Sequence, residues 1–152
     1  MTVTQLMTKQ LVKLQLDGTT KDEIMEEMIG LIDGAGGLVD REQYKQALYD
    51  REREGSTGIG FGIAIPHGKS DAVKHPCLAF GMKHEGVDWD SLDGEKVKLI
   101  FMIAVPEQYA GNEHLKILQL LARKLMDETF REQILTVRKV EDVLQLFETF
   151  QS

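Results

Sequence analysis

Residues 51–70 read REREGSTGIGFGIAIPHGKS, and a glycine-rich run closing on Gly-Lys-Ser resembles a nucleotide-binding phosphate loop. Such a loop needs the spacing G-x-x-x-x-G-K-[ST]. Between Gly62 and Gly68 there is one residue too many, and the gap holds Pro66, which removes an amide that a phosphate nest would use. Nucleotide binding by this loop is excluded. The stretch divides instead into a helix end at Gly55, a loop over 55–62, a short buried strand at Ile63-Ala64-Ile65, and a histidine held between proline and glycine.

Working outward, residues 11–16 (LVKLQL) alternate and predict a first strand. Thr20 and Glu23 form a capping box that opens a helix to about Ala35, with Gly36-Gly37 as a left-handed stop. Asp40 and Gln43 start a second helix over 41–54. Residues 77–83 and 97–104 predict two more strands, joined through turn signals at Gly86, Asp88 and Asp93-Gly94. After a loop over 106–111, Asn112 caps a helix reaching about Met126, and two further amphipathic segments follow to Phe150. Strands alternating with helices imply an α/β layered domain with a mostly buried sheet.

The chain has 152 residues, enough for one domain with a substantial core, and 42% of them are apolar. Its net charge is −7 with scattered basic residues, which argues against nucleic acid and anionic membranes as partners. The longest apolar run, 99–105, is too short to insert into a membrane, and the N-terminus lacks a signal-peptide layout. A single cysteine, Cys77, suits a reducing cytoplasmic setting and packing in a strand. Trp89 reads as a cover for the sheet edge, with an interface anchor as the alternative, and Met82 and Met102 read as core.

His67 stands at the end of the Ile63-Ala64-Ile65 strand, where ligand sites of α/β sheets gather, and Gly68 beside it leaves room for another molecule's backbone. A histidine that only caps a strand fits these residues as well. His114 falls on the apolar side of its helix, in the first turn, where free amides favour an anion. A core histidine bonded to a carbonyl remains the alternative there. Arg51 lies in the last turn of the second helix, where a cation is ordinary. His75 and His84 read as solvated, the latter at a strand end, and no histidine pair has metal-ligand spacing, which disfavours a metal-dependent hydrolase.

Residues 51–70 resemble the signature of the phosphotransferase-system enzyme IIA of the fructose/mannitol type, and GNEHLK at 111–116 resembles that family's second histidine motif. The similarity runs from about residue 11 to 150. It implies an α/β/α sandwich with a mixed central sheet flanked by helices, and a single such domain over 1–152. By this resemblance His67 is the phosphorylated residue, receiving a phosphoryl group from phospho-HPr and passing it to a cysteine of enzyme IIB, with a IIC permease downstream. Arg51 and His114 match the positions flanking the phosphoryl group, and Ser56, Thr57, Gly58 and Gly68 match the loop beside it. The resemblance implies no metal and no cofactor beyond the transient phosphohistidine. The loop resembles fructose-type members. A nitrogen-regulatory branch shares it, and implies a cytoplasmic phosphoprotein that controls partners rather than transport.

Overall fold

The computed structural model describes residues 3–108 and 113–148, without the side chains of Glu113 and His114. Along these residues run α1 (Val3–Leu6), β1 (Val12–Lys13), α2 (Lys21–Gly34), α3 (Arg41–Glu54), β2 (Gly58–Gly60), β3 (Ile63–Ala64) and β4 (His67–Ser70). Then follow β5 (Cys77–Val87), β6 (Val97–Pro106), α4 (Glu113–Leu125), α5 (Glu128–Thr136) and α6 (Val140–Glu148). The strands form one mixed sheet in the order β1-β5-β6-β3-β2, with β4 also on β6. β5 and β6 are antiparallel, whereas β1 runs parallel to β5, and β3 and β4 run parallel to β6.

Strand alternation gives the sheet two apolar faces. Along β6, Leu99, Phe101, Ile103 and Val105 join the cluster covered by α1, α4, α5 and α6, with Ile117, Leu121 and Leu125 as the buried stripe of α4. Ile100, Met102 and Ala104 face α2 and α3, with Ile24, Met28, Tyr44 and Leu48. The faces are built differently. The first is filled by aromatic rings: Phe101 lies 4.8 Å from Phe80 and 5.7 Å from Phe147, and Phe147 lies 5.7 Å from Phe130. On the second, small residues let the helices come close. A Cβ at Gly81 would lie 2.6 Å from the Met28 sulfur of α2, and one at Gly68 would lie 3.3 Å from the Leu48 nitrogen of α3. The chain is an α/β sandwich with a mixed sheet between helical layers.

The helix signals of α2 and α3 are realised as read. Thr20 and Glu23 form both bonds of a capping box, Asp40 accepts from the Gln43 amide, and Gly36 stops α2 at φ +81°. Four strand readings are corrected. The first strand shrinks to Val12–Lys13, because the apolar phase changes within it: Val12 and Leu14 join one cluster, Leu11 and Leu16 the other. β5 extends to Val87 past a register shift, so the exposed His84 lies inside a strand and not at its end. The expected 55–62 loop contains β2, which turns back into β3 through Gly60, Phe61 and Gly62 at φ +100°, +59° and +78°. The Asp93 carboxylate accepts the Phe61 amide and holds that turn.

The fourth correction concerns His67, which opens β4 rather than following a terminated strand. Pro66 donates nothing, but its carbonyl accepts the Ile103 amide at 3.0 Å, so pairing with β6 continues across the proline. β2 pairs with β3 and not with β4. The edge of the sheet is therefore left unpaired by β2 at the level of His67.

Candidate active site

Alternation places His67 on the same sheet face as Ile63 and Ile65, the face that α4 covers. Gly68 points the opposite way and is buried beneath α3, where its missing side chain admits Leu48 and Tyr44. The close approach expected at Gly68 is thus made by a helix of the same chain. It anchors β4 to the helix that carries Arg51, and the Tyr44 hydroxyl reinforces this contact by donating to the Ile103 carbonyl at 2.9 Å.

The His67 ring is half-buried, and Nδ1 lies 2.9 Å from the Ile65 carbonyl oxygen. A carbonyl only accepts, so the neutral ring carries its proton on Nδ1 and keeps a lone pair on Nε2. Burial lowers the imidazole pKa below its ordinary range. The Ile65 carbonyl opposes this, the Arg51 charge adds to it, and the carboxylates of Glu52 and Glu54 oppose it. The net direction is downward. Near neutral pH the ring is uncharged and nucleophilic at Nε2.

Arg51 reaches from the last turn of α3 and donates through Nη1 to the Gly55 carbonyl at 2.9 Å. One bond leaves the rest of the guanidinium fork, near enough to His67 for its charge to act on the ring. Gly55 breaks the helix at φ +154°, and Ser56, Thr57 and Gly58 then run back toward β3. The polar groups of this loop are engaged within the chain. Ser56 Oγ donates to the Trp89 carbonyl and accepts the Gly58 amide, while the Thr57 hydroxyl and amide both donate to Glu52. Gly58 is also sterically required, since a Cβ there would lie 3.2 Å from Ser91 Cα.

Two contributors, Glu52 and Lys21, were not singled out from sequence. Glu52 binds Thr57 and pairs with Lys21 at 2.8 Å. Trp89, read as an edge cover, is buried and donates its indole N–H to Thr57 Oγ1 at 3.2 Å. Position 52 looked like one more charge on a helix end, and only its adjacency to Arg51 marked it. His114 lies in the first turn of α4, the helix that covers the sheet face bearing His67, but its side chain lies outside the described residues, as do Gly111 and Asn112. His75 is exposed, and among the described residues no group of three His, Cys, Asp or Glu side chains is placed to hold a metal.

A family model described as "Phosphoenolpyruvate-dependent sugar phosphotransferase system, EIIA 2" matches residues 5–149. The chain belongs to that family. Members of the family are phosphotransferase relay proteins of sugar phosphotransferase systems, and this EIIA is similar to fructose-specific and fructose-like components. It is 44% identical over 138 residues to the fructose-specific EIIA component of Haloferax volcanii, covering 89% of each chain. It is 43% identical over 146 residues to the fructose-specific EIIABC component of Bacillus subtilis, covering 96% of this chain but only 23% of that longer protein. Among solved structures, nitrogen regulatory protein IIA-Ntr of Neisseria meningitidis superimposes with a TM-score of 0.84 at 33% identity, covering 95% of this chain and 98% of that one. The mannitol enzyme IIA of Escherichia coli, solved in complex with phosphorylated mannitol enzyme IIB, has a TM-score of 0.80 at 27% identity, covering 94% of this EIIA and 99% of that chain. No helix among the described residues is long and apolar enough to cross a membrane.

Proposed function

We propose that His67 accepts a phosphoryl group on Nε2 from phospho-HPr and passes it to a cysteine of a fructose-type enzyme IIB, which serves a IIC permease. The observation that carries this reading is the Nδ1–H bond to the Ile65 carbonyl, which leaves the lone pair on Nε2 of a ring that feels the Arg51 charge. In the first step Nε2 attacks phosphorus while the bond from phosphorus to the donor histidine breaks. The proton stays on Nδ1, and the Ile65 carbonyl stabilises the positive charge that develops on the ring. In the second step a IIB thiolate attacks the same phosphorus and the N–P electron pair returns to Nε2. Neither step moves a proton on His67, and neither calls for a metal or a cofactor. Catalysis is then positioning plus stabilisation of the equatorial oxygens. Arg51 supplies fixed positive charge for those oxygens, and His114 with the first turn of α4 supplies further donors. Ser56, Thr57, Gly58 and Gly68 give the loop and strand their shape around the group. The protein works in the cytoplasm.

The test is labelling of the purified chain with radioactive phosphoenolpyruvate, enzyme I and HPr. Wild type takes up one phosphate and His67→Ala takes up none; a His67→Ala protein that still labels overturns the assignment. Purified fructose and mannitol IIB proteins then report the acceptor. A second reading rests on the 33% identity to IIA-Ntr, in which phosphorylated His67 controls a partner protein. That reading expects labelling at His67 with no onward transfer to IIB, whereas the transport reading expects rapid transfer to the fructose protein.

A further inference from the structure

Glu52 follows Arg51 on α3, and its side chain is 6% exposed although it ends in a carboxylate. Its hydrogen bonds can run in one direction only. The Trp89 indole has no acceptor, so Thr57 Oγ1 accepts from it, and the single hydroxyl proton of Thr57 goes to Glu52. The Thr57 amide donates to the other Glu52 oxygen at 3.3 Å, and Lys21 donates to that same oxygen from α2 at 2.8 Å. The Thr57 carbonyl in turn accepts the Ile65 amide at 3.0 Å. The carbonyl of that same Ile65 accepts the Nδ1–H of His67. One continuous chain of bonds thus leads from the buried carboxylate to the imidazole.

We propose that Glu52 is a positioning residue for His67: held by Lys21, it fixes Thr57, and through the Ile65 peptide it sets the tautomer and aim of the ring. The inference rests on the reading of His67 as the phosphoryl acceptor. A buried ion pair is a weak source of stability, because an apolar side chain would fill the space without losing hydration. Nothing in the packing of α3 requires a carboxylate at position 52. What requires it is an acceptor able to take two donors from Thr57 and a third from Lys21. Trp89 closes the network from the loop after β5, and the Lys21 ammonium lies 5.3 Å from the centre of its ring. Arg51 and Glu52 together grip the loop at two places, the Gly55 carbonyl and Thr57, so the cation and the ring are held in one frame.

The experiment uses the whole chain. Nitrogen NMR of the His67 ring above neutral pH reads the tautomer, and stopped labelling by phospho-HPr reads the rate. Wild type shows one form, protonated at Nδ1. Glu52→Ala shows exchange between both neutral tautomers and a turnover rate roughly 10- to 100-fold lower, as expected of a misaimed nucleophile, with KM for phospho-HPr unchanged. Thr57→Val behaves the same way, while Thr57→Ser, which keeps the hydroxyl, restores the single tautomer and most of the rate. A single Nδ1–H form together with the wild-type rate in Glu52→Ala overturns the proposal. If that variant fails to fold, equal rates and equal ring spectra in Thr57→Val and Thr57→Ser overturn it. Wild-type protein that takes no phosphate at His67 would instead defeat the functional reading, and the ring spectra would still decide the positioning role.

Discussion

In the proposed transfer, His67 has to be neutral to attack and has to tolerate positive charge once it has done so. Its surroundings divide these tasks between the two nitrogens. Burial and the Arg51 charge favour the neutral ring, while the Ile65 carbonyl lies on the nitrogen that keeps its proton. The sign follows directly: the folded pKa lies below the ordinary value of about 6.5, so the folded protein binds fewer protons there than the unfolded chain. This contribution to stability is complete above the ordinary value and is lost as pH falls through the folded pKa. The NMR titration midpoint of His67 is expected below the ordinary value, and Arg51→Met is expected to move it upward by removing a like charge. An Arg51→Met midpoint equal to or below that of wild type would mean that Arg51 does not act on the ring. The sequence made His67 and Arg51 visible, because proline, glycine and a helix end mark them locally. It could not single out Glu52, whose partners Lys21 and Thr57 lie on another helix and in the following loop.

Helix α3 and strand β4 work as a pair, since one brings Arg51 and the other His67. Their separation is set at Gly68, where an added Cβ would lie 3.3 Å from both the Leu48 nitrogen and the Tyr44 ring. The Leu48 nitrogen belongs to the helix backbone, so α3 itself would have to give. Gly68→Ala is expected to cost about 1–3 kcal/mol of stability, in the range of overpacked cores, and to slow labelling by phospho-HPr as the Arg51 end of α3 shifts. Denaturant unfolding and the labelling rate check the two parts; unchanged values of both would show that the helix has slack at this point. Element identity was legible where caps and periodicity are local, as at Thr20, Asp40 and the β6 run. The β2–β3 hairpin was not legible. Its glycines read as loop, and the Asp93 carboxylate that holds its turn lies far along the chain.

The whole molecule sets a closely packed face, where α2 and α3 support the active loop, against an aromatic face that stabilises the sheet. Phe147, near the end of the described residues, is 1% exposed and packs on Phe80, Phe101 and Phe130. Phe147→Ala leaves a large cavity, and about 3–5 kcal/mol is expected to be lost. Phe80, Phe101 and Phe130, on which Phe147 packs, take no part in the bonds that link Glu52, Thr57, Ile65 and His67, so the folded variant should label at a rate close to that of wild type at low temperature. Denaturant unfolding reads the first quantity, and a loss below 1 kcal/mol, small on the scale of such truncations, would mean that α6 can collapse onto the gap. The amino-acid sequence by itself determined helices α2, α3 and α4, the buried central strand and the presence of a proline-held histidine, since caps, periodicity and backbone restriction act over a few neighbouring residues. Only the tertiary structure decided that His67 continues a strand, that Gly68 seats a helix, and that Trp89 and Glu52 meet at Thr57. These depend on strand pairing and layer packing, which join residues such as Thr57 and Trp89, 32 positions apart, and leave no periodic trace along the chain.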